Sequence, residues 1–280
     1  MKVKIKSYAK INLALNVIGK TSLLHKIESI VAFVSLYDEI SIKSVESNNH
    51  KISFFGDFSN GITKNNTLSK LIKVLEKKKL LKSLKFQIKV KKNIPSKAGL
   101  GGGSMNAASV LNYFVNKKII KVNKKELIKI CKLIGSDVIL GLYSTNTILY
   151  SNNQIKRFKN SKKIYALIVK PNFGCSTSQI YSKIRNYNKP KFNKPNKKMF
   201  NLEYLKKMEN SLEPIAFSRY SILQKIKLFL VNLPSVVFVR MTGSGSALVA
   251  YFQSKETCDN AKRKFMRKYK NYWCISSKTI

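Results

Sequence analysis

The chain has 280 residues, enough for one large domain or two moderate ones, and its 44% hydrophobic and 10% aromatic content excludes a disordered polymer. Its 54 Lys and Arg against 13 Asp and Glu give a formal charge of +41. These charges are spread along the whole sequence, which predicts solvated surface able to steer anionic substrates and no specific nucleic-acid partner.

The segment KVKIKSYAKINLALNV, beginning at Lys2, alternates in period two and predicts a strand or hairpin with one buried face. Its apolar run Ile11–Ile18 is short and interrupted by Asn12 and Asn16, so it fits neither a signal peptide nor a membrane span. Two further strands are expected at Ser29–Leu36 and Glu39–Ser44, with Asp38 in the turn between them. Leu68, Leu71, Ile72 and Leu75 then mark one face of a helix, capped by Asn66 or Thr67. Leu84–Val90 alternates again as a strand, and helices follow at Met105–Phe114 and Lys125–Ile134, the second ending at Gly135.

Strands are expected at Asn146–Tyr150 and Ile164–Lys170. The polar stretch Asn152–Lys163 between them suits a domain junction, which divides the chain into residues 1–155 and 163–280. Phe192–Lys198, rich in Asn, Pro and Lys, reads as an exposed loop, and helices follow around Leu202–Met208 and Ser221–Leu230. Short apolar strands at Val236–Arg240 and Leu248–Phe252 flank the small-residue loop Thr242–Ser246. A helix at Lys255–Lys268 and a strand near Tyr272–Ile275 close the chain. No repeat of about 20 to 50 residues is present, and the expected class is α+β with two layered domains.

Gly99, Gly101, Gly102 and Gly103 place four glycines in five positions between a strand and a helix. Unpartnered first-turn amides and a backbone that a phosphate can approach closely make this an anion site suited to a triphosphate. It is not a Walker A loop, which needs Gly-Lys-Ser/Thr, and Ser104 stands where a dinucleotide fingerprint has its third glycine. A tight turn for close backbone packing is the alternative, disfavoured by the number of glycines. The second small-residue loop, also behind a strand, could converge with the first on one ligand.

Four aspartates are present, at 38, 57, 137 and 259, and only Asp137 follows a helix end among small and apolar residues. It reads equally as a charged site residue or as a helix-end Asx-turn residue. Lys10 interrupts an apolar strand. It either points outward or is buried beside an anion, and a pairing with Asp137 would decide for burial. Cys131, Cys175, Cys258 and Cys274 form no CxxC pair, and His25 and His50 are not spaced to join them, so no zinc centre and a cytoplasmic chain with reduced thiols are expected.

PSKAGLGGGSMNAA, from Pro95 to Ala108, resembles the ATP motif of the galactokinase, homoserine kinase, mevalonate kinase and phosphomevalonate kinase (GHMP) superfamily. Tyr8-Ala-Lys-Ile-Asn-Leu13, Ile134-Gly-Ser-Asp-Val138, Asn210-Ser-Leu-Glu-Pro214 and Arg240-Met-Thr-Gly-Ser-Gly-Ser246 look, within it, like the family that phosphorylates cytidine-diphosphate methylerythritol. The matches run in the family's order over essentially the whole chain. The resemblance implies an N-terminal domain like ribosomal protein S5 domain 2, a C-terminal ferredoxin-like domain and an active site in the cleft between them. It implies ATP as donor, Mg²⁺, a small-molecule acceptor and a monomer or weak homodimer.

By the same resemblance, Asp137 would accept or orient the proton of the acceptor's 2-hydroxyl, and Lys10 would stabilise charge during transfer. Pro95, Lys97, Ala98, Gly99, Leu100, Gly101, Gly102, Gly103 and Ser104, with Asn66, would hold ATP, Ser104 lying close to Mg²⁺. Asn12, His25, Thr177, Tyr181, Gly243 and Ser244 would contact the acceptor. Three residues depart from the family: Leu24 replaces the tyrosine before His25, Ile139 a proline, and Ser211 an aspartate. Leu24 motivates one alternative, a sibling kinase acting on another small alcohol. The +41 charge motivates another, an RNA-binding protein with an S5-like domain, although no aromatic-basic recognition motif is visible. An inactive relative is disfavoured because Lys10, Asp137 and the whole glycine loop are present.

Overall fold

The computed structural model describes residues 2–22, 24–150, 154–159 and 162–280. They form two compact units built from interleaved stretches. Unit 1 contains the chain up to Lys10, Leu36–Ser96 and Gly101–Ser144, and unit 2 contains Ile11–Ser35, Lys97–Leu100 and Thr145–Ile280. The long strands β1 (Lys2–Lys20) and β2 (His25–Val45) pair with each other and contribute residues to both.

In unit 1, β2 pairs antiparallel with β4 (Lys85–Lys91) over Glu39–Val45, and β4 pairs parallel with β3 (Lys51–Phe55). Helices α1 (Thr67–Lys77), α2 (Gly102–Asn116) and α3 (Lys124–Ile134) bury one core with Ile40, Ile42, Phe86 and Ile88. The four apolar positions expected on α1 are the four it buries, and Asn66 caps it, accepting from Leu68 N and Ser69 N at 3.0 Å. The two strands expected at Ser29–Leu36 and Glu39–Ser44 are one. Asp38 makes no turn because Asn93 N and Ile94 N satisfy its carboxylate inside the continuous strand. β3 was not expected, since its short sequence is half exposed and carries little periodic signal.

In unit 2, β10 (Trp273–Lys278), β7 (Tyr165–Lys170), β9 (Leu248–Phe252) and β8 (Phe238–Met241) form an antiparallel sheet in that order. All of β9 is buried, in keeping with its unbroken apolar run. α7 (Ser221–Val231) and α8 (Lys255–Lys268) pack on the sheet through Leu223, Ile226, Leu230, Cys258, Ala261 and Phe265. Three short helices, α4 (Thr177–Tyr181), α5 (Leu202–Lys206) and α6 (Glu213–Arg219), connect these elements, and of these only α5 was expected.

Two expectations fail here. The polar stretch read as a junction contains β6 (Gln154–Phe158), antiparallel to β5 (Asn146–Tyr150), which itself pairs with β2 at Ser29–Val31. Residues 151–153 and 160–161 of that stretch lie outside the described residues. Backbone pairing holds β6, and lysine-rich composition does not encode it. Phe192, expected exposed, is 1% accessible, because the buried Glu28 carboxylate accepts from Lys191 N at 2.8 Å and Phe192 N at 3.4 Å and draws the loop inward. Among the described residues no helix is long and apolar enough to cross a membrane.

Candidate active site

The chain leaves β4 through Lys92–Ile94, passes Pro95–Gly101 and enters α2 at Gly102. Gly101 is the N-cap, with left-handed φ of 70°, and makes no side-chain cap. The first-turn amides of Gly102, Gly103 and Ser104 are therefore free of a capping side chain at the positive end of a 15-residue helix. That is the arrangement that binds phosphate oxygens. Thr67 Oγ1 donates to Gly103 O at 2.7 Å, which joins the start of α1, and with it the capping Asn66, to the first turn of α2. Pro95, Ala98 and Leu100 are buried, whereas Lys97 is exposed with a left-handed φ of 51°.

Lys10 is buried in β1, its side chain 5% accessible, and its Nζ lies 3.4 Å from Asp137 Oδ2. A Cβ at Gly101 would stand 2.8 Å from Lys10 Cγ, so the loop's last residue packs on the lysine stem. The outward-facing reading of Lys10 is excluded. Asp137 follows the end of α3, and its carbonyl accepts from Leu140 N at 3.1 Å as the chain enters a 3₁₀ turn at Leu140–Leu142. At 33% accessible, its carboxylate can reach a ligand while Lys10 supplies fixed positive charge beside it. Ile139, which stands where the family has proline, holds φ of −62°, the value a proline ring imposes.

Unit 2 brings the loop Thr242–Ser246 against Lys97–Leu100. Ser246 N donates to Lys97 O and Ala247 N to Ala98 O, both at 3.2 Å, and Thr242 Oγ1 lies 3.1 Å from Gly99 O. Gly99 has φ of +73°, and a Cβ there would sit 1.9 Å from Thr242 O, so both backbone and space require glycine. Asn12 N donates to Thr242 Oγ1 at 3.0 Å, and Asn12 Nδ2 donates to Ser29 Oγ at 2.8 Å. Asn210 Nδ2 donates to Met241 O and Gly243 O, both at 2.8 Å, and so fixes the second loop. Ser244 Oγ and Thr177 Oγ1 are 2.8 Å apart. The two glycine loops thus meet each other through their backbones.

His25 and Tyr181 are also brought together in unit 2, with ring centroids 5.0 Å apart and planes tilted by 45°. Burial, then the nearby Lys20 charge, lowers the His25 pKa from its usual 6.5, leaving a neutral imidazole with one donor and one acceptor nitrogen. Leu24 is 64% exposed and adds no ring. Tyr187 does, at 6.4 Å from His25, and it escaped the sequence reading because one aromatic in a polar loop has no pattern to mark it. Ser211, in place of the family aspartate, has Leu15 O, Asn16 Oδ1 and Asn188 Nδ2 within 3.3 Å of its hydroxyl.

Asp38 was also missed. Fully buried in β2, it accepts from Asn93 N, Ile94 N and Asn106 Nδ2 and pairs with Lys92.

The family pattern described as GHMP kinases N terminal domain matches residues 66–145. Over 277 residues, covering 99% of both chains, the sequence is 56% identical to the 4-diphosphocytidyl-2-C-methyl-D-erythritol kinase of Pelagibacter ubique. It is 32% identical to the enzyme of the same name from Clostridium tetani, covering 99% of this chain and 100% of that one. Among solved structures, a 4-(cytidine 5'-diphospho)-2C-methyl-D-erythritol kinase superposes with a TM-score of 0.78 at 22% identity, covering 99% of this chain and 100% of that one. Homoserine kinase from Cytophaga hutchinsonii superposes at 0.75 with 15% identity, covering 100% and 94%. At such identities these two likenesses speak for the fold.

Proposed function

The chain belongs to the 4-diphosphocytidyl-2-C-methyl-D-erythritol kinase family of GHMP kinases, and we propose how its own residues carry that family's reaction. It is an ATP-dependent phosphotransferase that phosphorylates the 2-hydroxyl of 4-diphosphocytidyl-2-C-methyl-D-erythritol, giving the 2-phosphate and ADP in non-mevalonate isoprenoid synthesis.

The observation that carries the mechanism is the Lys10–Asp137 pair at 3.4 Å. In our reading Asp137 takes the proton of the acceptor hydroxyl as its oxygen bonds to the γ-phosphorus. The bond from that phosphorus to the β–γ bridging oxygen breaks, and ADP leaves with the electron pair. Lys10 offsets the negative charge gathered there. The amides of Gly102, Gly103 and Ser104 hold phosphate oxygens, and Pro95–Leu100 with Asn66 shape the rest of the ATP site. Phosphoryl transfer depends mainly on positioning and charge neutralisation, so this set is chemically sufficient.

Mg²⁺ fits the oxygen donors present. Ser104, in the first turn of α2, offers a hard hydroxyl oxygen that would hold the ion together with the ATP phosphates, and the ion would supply neutralisation of phosphate charge. His25 and Tyr181 are assigned to the cytosine, one by hydrogen bonding and the other by stacking, a contact type contributing about 1–3 kcal/mol per base. Asn12, Thr177, Gly243 and Ser244 are assigned to the remainder of the acceptor. We place the enzyme in the cytoplasm, with ATP and reduced thiols.

Turnover on a panel of acceptors, followed by ³¹P NMR of the products, tests the reading. Phosphorylation of the cytidylylated substrate alone is expected. Failure to use it, with phosphorylation of homoserine or mevalonate instead, would overturn it.

A further inference from the structure

We propose that Asp38, which touches no ligand in the reading above, is the positioning residue of the phosphate loop. The proposal rests on that loop binding ATP. Asp38 is 0% accessible in the middle of β2. Its Oδ1 accepts from Asn93 N at 2.8 Å and Ile94 N at 2.9 Å, the last amides before the loop begins at Pro95. Its Oδ2 accepts from Asn106 Nδ2 at 3.0 Å, in the second turn of α2, and from Lys92 Nζ. One carboxylate thus ties the strand exit on one side of the loop to the helix on the other.

The ties are strong in kind. A buried carboxylate needs charge-assisted donors, and this one has four, drawn from both sides of the glycine segment. Lys92 is itself buried, and a Cβ at Gly102 would lie 3.3 Å from its Nζ. The ion pair therefore sits directly against the first residue of α2, whose amide faces the phosphate in our reading. Asn106 Oδ1 is buried with no hydrogen-bond partner among the described residues, so the bond from its Nδ2 to Asp38 is what offsets burial of the side chain.

Two double variants separate positioning from mere core stability. D38N/K92M removes the ion pair but keeps an oxygen acceptor for the Asn93 and Ile94 amides, whereas D38L/K92M removes both. Kinetics and thermal melts of the two are compared with wild type. The KM for ATP is expected to be at least tenfold higher in D38L/K92M than in D38N/K92M, with the acceptor KM of both within twofold of wild type. A purely structural role would lower the melting temperature of both and leave the two ATP constants equal, which overturns the proposal. If D38L/K92M fails to fold, Asn106→Leu takes its place. A threefold or greater rise in ATP KM with unchanged acceptor KM is then expected, and no rise overturns the proposal. Wild type that never saturates with ATP would sink the loop assignment itself, whereas saturable wild type with indistinguishable variants sinks the role of Asp38 alone.

Discussion

Lys10 Nζ and Asp137 Oδ2 stand 3.4 Å apart, the ammonium buried in a strand and the carboxylate one-third exposed after a helix end. The asymmetry suits a fixed cation beside a group that must reach substrate. Asp137→Asn keeps the size and the local turn but cannot take a proton. Its kcat is expected to fall about 10²–10⁴-fold, the usual contribution of a general base, with the ATP dissociation constant within threefold of wild type. Steady-state kinetics with calorimetric ATP titration measure both, and near-normal turnover would remove Asp137 from the mechanism.

Lys10→Met fills the same buried volume under Gly101 without the charge. We expect kcat to drop about 10²–10³-fold, the scale for losing one electrostatic donor. Stability should change by no more than about 1 kcal/mol, because the remaining carboxylate is partly hydrated. A urea melt that collapses while kcat of the folded fraction stays normal would recast Lys10 as structural.

Gly99 and Gly61 make a controlled pair. Both hold left-handed φ, +73° and +76°, but a Cβ at Gly99 meets Thr242 O at 1.9 Å and one at Gly61 meets nothing within 4 Å. Gly61→Ala should therefore cost only the backbone strain, about 1–2 kcal/mol, and leave the ATP KM unchanged. Gly99→Ala should cost more stability and raise the ATP KM by at least tenfold. Equal effects of the two substitutions on ATP would show that the contact between the two glycine loops plays no part in nucleotide binding.

The His25 pKa is lowered by burial first and Lys20 second, so the folded protein binds fewer protons there than the unfolded chain. Any stability contributed is present above 6.5 and is lost as pH falls through that unfolded value toward the lower folded one. His50 shifts the same way, again mainly through burial, with Glu76 opposing. The binding consequence is specific to His25. Acceptor KM should stay flat above pH 7 and rise on acidification below 6.5, and His25→Gln should flatten that rise while raising KM throughout. A pH profile of KM for the acceptor that is identical in His25→Gln and wild type would dissociate His25 from the base.

Helices α1 and α3 were legible because one-sided burial writes a 3.6-residue period into the chain, and the alternation of β4 was legible for the matching reason. The glycine loop was legible because left-handed backbone and close approach admit almost nothing else at Gly99 and Gly101. β3, β6, α4 and α6 were not, since short, partly exposed elements are held by partners that local sequence does not name. Asp38 was read as a turn residue, and its burial depends on donors at residues 92–94 and 106, far away in sequence.

By itself the sequence marked an anion site in the glycine loop, and the resemblance carried by its motifs supplied the kind of chemistry, while Lys10 and Asp137 stayed open because local residues do not say whether a charge is buried or paired. Only the tertiary structure decided which charges are buried and which are paired. Lys10 faces inward because Gly101 covers its stem, Asp38 lies inside a strand because four donors reach it, and Thr242 presses on Gly99. Burial and hydrogen bonding of a charge are properties of what the rest of the chain brings to it, and no local pattern records that.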